Sequence, residues 1–468
     1  MIFTEFRFLL FFLIVFSVHW MLRENRYRKL WLLLCSYLFY GAWDWRFLSL
    51  IWISTVVDYI VGLRLDETTN GNRRKRWLLV SLGTNLGILG FFKYFNFFVD
   101  SAANFLNFLG FSADFTTLNI ILPVGISFYT FQTLSYSIDI YYKKMKPVYK
   151  WLDFALFVSF FPQLVAGPIV RASTFLPQLE ETRIFSRVRV KYCLLLFLIG
   201  FVKKACISDR LSPIVDRFFA APETYTAGSS WVGVLFYAVQ IYCDFSGYTD
   251  MAIACAGLLE YELCLNFNFP YLSENITEFW RRWHISLSTW LRDYLYIPLG
   301  GNRGGQLMTY RNLMLTMLLG GLWHGAGWNF VIWGGLHGGA LIVQREWSKF
   351  SAPYRQLSGV MKSMGSLLTF YWVCIAWIFF RSTDLEKSMT ILQSFVLFNS
   401  SGSNELGTHL LGIFIVLAIV HFAAQRNFLG EWWEKTPDWI FAAWYGLAVS
   451  IAFWFVAPNY SAFIYFQF

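Results

Sequence analysis

The sequence has little charge and no long polar stretch, and these two shortages exclude most classes of soluble protein. Only 14% of its 468 residues are charged and 57% are apolar, whereas soluble chains have roughly 25% charged and 45 to 50% apolar residues. Apolar runs extend over the whole chain with no polar domain between them. We therefore expect a polytopic integral membrane protein with one membrane domain, 1–468, whose core motifs lie in 120–345 and whose peripheral helices lie in 1–100 and 365–468.

Sequence motifs of soluble enzymes and of metal-binding sites are also absent. The seven cysteines show no C-x-x-C or Cys/His ligand spacing, so we predict packing roles for them and no metal site. The sequence has no G-x-S-x-G elbow, no Walker loop, no G-x-G-x-x-G and no H-E-x-x-H. A serine hydrolase or an NTP-driven pump therefore finds no support.

Basic residues form short clusters between apolar runs. We therefore attribute the net charge of +9 to basic cytoplasmic loops of a membrane protein, and predict no nucleic-acid partner. If the first five runs all cross, the positive-inside rule places three basic loops in the cytoplasm. We expect both termini outside the cytoplasm, and the segments around Arg73, Lys144 and Lys349 inside it. The five runs lie near 8–22, 30–42, 47–63, 77–98 and 120–142.

The regular alternation of loops fails after residue 151. The run 153–168 contains Pro162 and Gly167-Pro168, and a further basic segment, 171–191, follows it. Irregular backbone at membrane depth is tolerated only where protein or a water-filled cavity satisfies its N–H and C=O groups. We therefore predict an all-α fold of about 11 or 12 crossings, with re-entrant and interfacial helices around a central funnel or tunnel. Further spans are predicted near 190–203, 229–257, 312–344, 365–380, 408–425 and 440–457.

Residues 273–297 can be drawn as one amphipathic helix. Its apolar side chains share a stripe, and the opposite face carries charges that include Arg281 and Arg282. We predict an interfacial helix whose basic face either anchors it to headgroups or binds a phosphate-bearing donor such as an acyl-coenzyme A. His284 falls at the edge of the aromatic stripe and is expected to face the protein, where packing and chemistry are both open to it.

His324 is the strongest candidate for a chemical role. It lies in the apolar run 312–344, where an ionisable group is costly and by default marks a site or a pathway. The 13 residues from Arg311 would carry a helix roughly 20 Å, to near the bilayer midplane. Gly325 and Gly327 would interrupt the helix there and admit a substrate close to the backbone. The alternative is a hydrogen-bonded core histidine at a kink.

The other histidines and one acidic segment are open to structural interpretations. Asp244 and Asp250 stand six residues apart in an apolar run. They fit a cation or proton path, a site wall, or a structural hydrogen-bond network, which we favour. Packing or interfacial roles are predicted for four histidines: His19, His337, His409 and His421.

Six segments give the chain a strong resemblance to the membrane-bound O-acyltransferase family, and within it to the bacterial alginate O-acetyltransferase branch. They are 122–132 (LPVGISFYTFQ), 161–168 (FPQLVAGP), 244–250 (DFSGYTD), 266–271 (NFNFPY), 279–303 (FWRRWH through GGNR) and 321–326 (GLWHGA). Their number and order make the resemblance specific. Teichoic acid D-alanyl transferases share the paired histidine segments.

The resemblance implies that the family's catalytic histidine falls on His324 and its second histidine on His284. It implies an acyltransferase of the bacterial inner membrane that takes an acyl group, acetyl in this branch, from a cytoplasmic thioester. The donor would be acetyl-coenzyme A or another acyl thioester, with no tightly bound cofactor. The acceptor would be an alginate-like exopolysaccharide outside, reached directly or through an extracytoplasmic esterase-like partner protein. We also predict substrate- or donor-binding roles for six residues: Asp244, Tyr248, Arg281, Arg282, Trp323 and Asn329.

Three other functions remain open from the sequence. D-alanyl transfer and acyl transfer to peptidoglycan would use the same histidines. A transporter or channel would also suit broken helices and a histidine at the midplane. The sequence has no inverted repeat, which counts against a transporter.

Overall fold

The computed structural model describes residues 1–112, 117–350, 359–407, 410–426, 432–458 and 463–464. Within these ranges every regular element is helical, apart from one isolated bridge between Tyr225 and Asn404. The all-α fold predicted from the apolar runs is confirmed. His409 and the beginning of the predicted run 408–425 lie outside the described residues, as do residues 465–468.

The helices are numbered in chain order. Up to residue 180 they are α1 (Phe6–Met21), α2 (Asn25–Asp44), α3 (Leu48–Glu67), α4 (Gly71–Leu89), α5 (Phe95–Phe108), α6 (Ile126–Tyr141), α7 (Trp151–Ser159), α8 (Phe161–Leu164) and α9 (Ala172–Glu180). The middle ones are α10 (Val190–Phe201), α11 (Asp209–Ala220), α12 (Ala227–Leu258), α13 (Ile276–Arg282), α14 (Ile285–Leu291), α15 (Gln306–His324) and α16 (Trp328–Phe350). The last are α17 (Gly359–Arg381), α18 (Leu385–Leu397), α19 (Leu411–Gln425), α20 (Trp432–Lys435) and α21 (Asp438–Phe455).

The chain divides into two compact units by its internal packing. The first unit contains Met1–Val190 and Ala252–Cys264, and the second contains Lys191–Met251 and Leu265–Phe468. One of the points where the chain passes between the units, Met251 to Ala252, lies inside the long helix α12. That the whole chain forms one membrane domain stays a prediction.

Four stretches of the described chain are long and apolar enough to cross a membrane. They are Asn25–Glu67, Gly71–Phe108, Val360–Arg381 and Asp438–Phe455. The first two contain two helices each, and α1 and α19 are shorter apolar helices. These stretches support the polytopic character, while the total of 11 or 12 crossings stays a prediction.

Basic loops of the first unit meet at one end of its helices. The Tyr149 hydroxyl donates a hydrogen bond of 2.9 Å to the Asp66 carboxylate at the end of α3. The Arg74 guanidinium, in the first turn of α4, donates to the carbonyls of Ile140 and Tyr141 at the end of α6, at 3.0 and 2.8 Å. Two loops predicted to be cytoplasmic therefore share one end of the unit. Which side of the membrane this end faces stays a prediction.

The segment 151–183 enters the first unit and returns to the same end of α2. The Lys29 ammonium forms an ion pair with Asp153 in the first turn of α7. The neighbouring Arg28 guanidinium donates a hydrogen bond of 2.6 Å to the Arg183 carbonyl, beyond α9. The segment therefore does not cross to the other end of α2, which explains how a second basic region can follow it, as the re-entrant prediction required.

The turn of this re-entrant segment lies near the middle of α2. The Phe161 N–H donates a hydrogen bond of 3.1 Å to the Ser36 hydroxyl, about 16 Å along α2 from its first residue. Pro162 has no N–H to satisfy, and the Gln163 side chain donates to the Phe157 carbonyl at 2.7 Å. The broken backbone thus finds its hydrogen bonds inside the protein, as it must at membrane depth.

In the second unit, α15 and α16 form a hairpin whose backbones touch at two glycines. A Cβ on Gly321 would collide with the Phe330 carbonyl, and one on Gly334 would collide with the Met317 carbonyl. Small residues at these positions allow two helices to approach closely. The run 312–344 therefore breaks after His324, where its glycines predicted a break, and its second half folds back along the first.

Candidate active site

His324 is the last residue of α15, and its imidazole lies among aromatic rings. The following residue, Gly325, is extended with φ −156°. A Cβ there would overlap the Phe330 ring, so the break requires glycine for steric reasons. His324 is 3% exposed, and its ring centroid lies 5.0 Å from that of Trp333 and 5.2 Å from that of Phe380. The break therefore holds a buried imidazole in an aromatic cage.

The segment 273–297 is not the single amphipathic helix that the helical wheel predicted. α13 ends at Arg282 and α14 begins at Ile285, and between them His284 is left-handed, with φ 42° and ψ 56°. This conformation is uncommon for a residue other than glycine, and it persists where surrounding contacts impose it, often at functional sites. The bend leaves the imidazole fully buried. The continuous helix was wrong, whereas the inward orientation of His284 is confirmed.

Asn266 holds the bend at His284. Its Oδ1 accepts hydrogen bonds from the Ser286 N–H at 3.1 Å and from the Ser286 hydroxyl at 2.9 Å, and lies 3.1 Å from His284 Nδ1. Because this atom is an acceptor, Nδ1–H is the donor, which leaves the lone pair of a neutral imidazole on Nε2. The Asn266 carbonyl also accepts from the Ile285 N–H at 2.9 Å. Asn266 thus fixes both the orientation and the tautomer of His284.

The two histidines lie side by side although 40 residues separate them in the chain. Their ring centroids are 6.4 Å apart. Trp323 packs against both rings, at 5.0 Å from His324 and 6.1 Å from His284. Phe245 packs edge-on against His284 at 4.7 Å. Two imidazoles in an apolar enclosure can move protons to and from a bound reactant while water is kept out.

Asp244 lies in a buried charge cluster of the second unit. The Lys204 ammonium lies 2.6 Å from Asp244 and 2.7 Å from Asp209. The other oxygen of Asp244 accepts a hydrogen bond of 2.9 Å from the Ile464 N–H. Both carboxylate oxygens are therefore engaged, which favours the structural network over donor binding for Asp244.

Tyr248, one turn after Asp244 on α12, connects to the histidines through aromatic packing. Its ring lies 5.1 Å from that of Phe463, and Phe463 lies 5.7 Å from Phe245, the residue packed on His284. Tyr248 is 2% exposed. Two intervening rings, Phe463 and Phe245, thus connect it to His284, and a substrate contact by Tyr248 stays a prediction.

The two arginines predicted to bind the donor differ in their surroundings. Arg281 is exposed on α13, whereas Arg282 forms an ion pair of 2.6 Å with Glu278, one turn earlier. An anionic donor would compete with Glu278 for Arg282 but not for Arg281. Arg281 is therefore the better candidate for a phosphate contact, and both assignments stay predictions.

Asn329 lies in the first turn of α16, and its amide group is only partly used. Its Nδ2 donates to the Ser382 carbonyl at 3.0 Å. Within the described residues its buried Oδ1 has no hydrogen-bond partner. An acceptor that is left unsatisfied in a buried place is costly, and a substrate hydroxyl or amide would satisfy it.

His337 packs beneath the cage around His324. Its ring lies 4.7 Å from Trp333 and 5.0 Å from Trp280, and Trp333 separates it from His324. Neither of its ring nitrogens has a hydrogen-bond partner among the described residues. These surroundings favour the predicted packing role. His421 likewise packs between two rings, those of Tyr242 and Phe269 at 5.1 and 5.0 Å, and His19 lies 4.9 Å from the ring of Trp20.

Sequence reasoning missed Asn266 and Lys204 as individual residues. Asn266 appeared only as the first letter of a family segment, and nothing local indicates which side chain it would meet. Lys204 follows Lys203 between two apolar stretches, and charges in such a place call for a partner, so this signal was available. No group of three or more His, Cys, Asp or Glu suited to a metal occurs in the part of the chain that the structure describes.

Comparisons with known proteins show the family of the chain. A family model described as membrane-bound O-acyltransferase family matches residues 142–383. A Pseudomonas aeruginosa protein named "Probable alginate O-acetylase AlgI" is 42% identical over 92% of this chain and 83% of its own length. A Helicobacter pylori protein named "Peptidoglycan O-acetyltransferase" is 37% identical over 94% and 91%. A Streptococcus thermophilus protein named "Teichoic acid D-alanyltransferase" is 28% identical over 56% and 69%.

Proposed function

The chain belongs to the membrane-bound O-acyltransferase family and is a membrane O-acyltransferase, and we propose that it acetylates hydroxyls of an alginate-like polysaccharide outside the cytoplasm. The donor is acetyl-coenzyme A from the cytoplasm. The observation that carries this proposal is the pair of buried imidazoles, His284 and His324, with ring centroids 6.4 Å apart.

In the proposed reaction His324 is the general base. Its neutral imidazole takes the proton of the acceptor hydroxyl while that oxygen attacks the thioester carbonyl. The new C–O bond forms as the C–S bond breaks, and the thiolate leaves with a proton returned from the imidazolium. The aromatic cage excludes water, which would otherwise hydrolyse the thioester.

His284 is proposed to orient the donor or to protonate the leaving thiolate. With Nδ1–H donated to Asn266, a neutral His284 presents Nε2 as an acceptor and must first be protonated to act as an acid. A proton passed between the two imidazoles would accomplish this. Asn266 then acts through His284 as a positioning residue.

The remaining predicted residues are proposed to surround the donor. Arg281 supplies an exposed cation for the phosphates of coenzyme A, and Arg282 does so only if it gives up Glu278. Trp323 packs beside the acyl group, and the Oδ1 of Asn329 accepts a hydrogen bond from substrate. Tyr248 is proposed to support these contacts through Phe463 and Phe245.

The names of two relatives support two candidate acceptors. The alginate-type name of the Pseudomonas aeruginosa relative supports a secreted polysaccharide, and the name of the Helicobacter pylori relative, which matches 94% of this chain, supports peptidoglycan as a second candidate. We propose that an extracytoplasmic esterase-like protein takes the acetyl group onward to the polymer.

Reconstitution in liposomes tests this function. Acetyl-coenzyme A labelled in the acetyl group is supplied on one side, and alginate, peptidoglycan fragments or the partner on the other. We expect label to appear on the acceptor side, with efficient polymer modification only when the partner is present. A transporter without chemistry would leave the thioester intact, and D-alanyl transfer would require a D-alanyl thioester. Full polymer acetylation by this chain alone would remove the partner from the proposal.

A further inference from the structure

Asp58 differs from the other buried aspartates of the described chain. Four of them lie beside a cation: Asp139 pairs with Lys144, Asp153 with Lys29, and both Asp209 and Asp244 with Lys204. Asp58 is fully buried as well, yet no Lys, Arg or His of the described residues forms an ion pair with it. An ionised Asp58 would therefore lack, among the described residues, the cation that accompanies the other four.

Side chains from two helices of the first unit, α4 and α6, converge on this carboxylate of α3. From α6 the Ser137 hydroxyl donates to Asp58 Oδ1 at 2.8 Å, and from α4 the Ser81 hydroxyl donates to the same oxygen. Asn85 Nδ2 donates to Asp58 Oδ2 at 2.8 Å, and its Oδ1 accepts from the Thr133 hydroxyl at 3.3 Å. We call these five residues the Asp58 cluster. It brings together two carboxylate oxygens, three hydroxyls and an amide oxygen.

The cluster lies deep in the apolar part of the unit. Asp58 is ten residues from the start of α3 and nine from its end, about 15 Å from either. α3 belongs to the stretch Asn25–Glu67 and α4 to the stretch Gly71–Phe108, both apolar enough to cross a membrane. A carboxylate at such depth is costly, and by default marks a functional site. Neutral donors lower that cost but leave the charge in place.

Ser54 provides a second, independent observation. It precedes Asp58 by one helical turn, so that both lie on the same face of α3. Its hydroxyl is buried, with 1% of the residue exposed, and has no hydrogen-bond partner in the part of the chain that the structure describes. A buried hydroxyl without a partner among the described residues therefore lies one helical turn from Asp58 on the same helix.

We propose that the Asp58 cluster binds a Na⁺ ion between α3, α4 and α6. Hard cations take oxygen ligands of this kind, namely carboxylate, hydroxyl and amide carbonyl. The ion neutralises Asp58, and the lone pairs of Ser81, Ser137 and Thr133 turn toward it, with Ser54 within reach as a further ligand. A site built from three helices ties them together, so occupancy stabilises the fold of the first unit.

Thermal unfolding of the purified full chain in detergent tests the proposal without any acyl transfer. The midpoint is measured as NaCl replaces choline chloride at constant ionic strength, at pH 7.5 and again at pH 6. We expect a rise of about 2 to 5 °C between no Na⁺ and a concentration about 100 times the half-saturating one. Asp58→Asn should abolish the rise. Among the described residues, the titratable side chain of a packed helix that interacts electrostatically with Asp58 is the phenol of Tyr136, which is neutral at both pH values.

A matched pair of serine variants covers the case in which Asp58→Asn does not fold. Ser137→Ala removes a hydroxyl from the cluster and should weaken the apparent Na⁺ affinity about tenfold, which is the effect expected for the loss of one ligand. Ser135→Ala, on the same helix, removes a buried hydroxyl that bonds to the Gln132 carbonyl, and should leave the affinity unchanged. A midpoint that depends on pH but not on Na⁺ would show that a proton neutralises Asp58 and would overturn the proposal. An equal Na⁺ response in both serine variants, or in Asp58→Asn, would overturn it too.

Discussion

The helix breaks at His284 and His324 bring two imidazoles side by side, but the two breaks have different causes. At His324 the chain breaks at glycines, and a Cβ on Gly325 has no room beside Phe330. At His284 the local sequence, WRRWHISLS, contains no glycine or proline, and the residue is nevertheless left-handed. The first break is encoded locally. The second is imposed by hydrogen bonds that Asn266, 18 residues before His284, accepts on its side-chain oxygen.

The two kinds of break suit two different roles in the site. A glycine break gives room and exposes backbone, which suits a residue that meets substrate directly. A break held by a distant side chain gives orientation, because its geometry is lost when the holding contact is lost. Variants at the two breaks should therefore differ in their effects on transfer and on stability.

His324→Ala should abolish acyl transfer while the protein still inserts and folds. Loss of a general base typically lowers a rate by ~10² to 10⁴, whereas the loss of a packing histidine would lower stability and expression instead. The measurement is acetyl transfer by monodisperse protein in detergent or liposomes. His284→Ala should lose less. A well-folded His324→Ala variant that keeps more than about a tenth of the activity would remove His324 as the base.

Asn266→Ala should lower kcat about 10-fold, close to the ~1.4 kcal/mol expected for a lost orienting hydrogen bond, with little change in KM for the donor. The matched control is Asn268→Ala, two residues on, whose side chain is exposed. Because Asn266 acts through His284, the double variant Asn266→Ala/His284→Ala should be hardly slower than His284→Ala alone. Fully additive losses would mean that Asn266 acts independently of His284 and is not its positioning residue.

Gly325→Ala should lower activity severalfold and destabilise the second unit by about 1 to 3 kcal/mol, the usual cost of overpacking. The added Cβ displaces the Phe330 ring, which packs at 5.1 Å on Phe380, a wall of the His324 cage. Gly327→Ala is the control, because its Cβ would meet Phe330 at an ordinary 3.6 Å. Unfolding midpoints and transfer rates of the two variants are compared. Equal behaviour would mean that the break depends on backbone freedom and not on this contact.

His337→Phe should have the smallest effect on transfer, less than about twofold, because an aromatic ring replaces another in the packing against Trp333 and Trp280. It removes two buried nitrogens that lack partners in the described chain, so the unfolding midpoint should stay or rise. The assay is the same acetyl transfer reaction. A loss near that of His284→Ala would place His337 in the proton path.

Local patterns were sufficient wherever the physical cause lies within a few residues. The apolar runs predicted the helices, Pro162 predicted the re-entrant segment, and the glycines after His324 predicted the break in 312–344. The wheel drawn for 273–297 failed because it assumes a continuous helix, and nothing within one turn of His284 forbids one. The second predicted apolar run, 30–42, was drawn too short for a similar reason. α2 begins at Asn25, because its first turns can bury Arg28 and Lys29. The Arg183 backbone carbonyl accepts a hydrogen bond from Arg28, and the Asp153 carboxylate pairs with Lys29.

The sequence by itself determined that this is a helical membrane protein, that it is an O-acyltransferase by resemblance, and that His324 occupies a break in an apolar run. Hydrophobic periodicity, glycine and charge act over one or two turns, so their consequences can be deduced without the fold. Only the tertiary structure decided that His284 faces His324, that Asn266 orients it and that Lys204 compensates Asp244. Each of these depends on which distant side chains become neighbours, because a buried polar group takes its state from its partner.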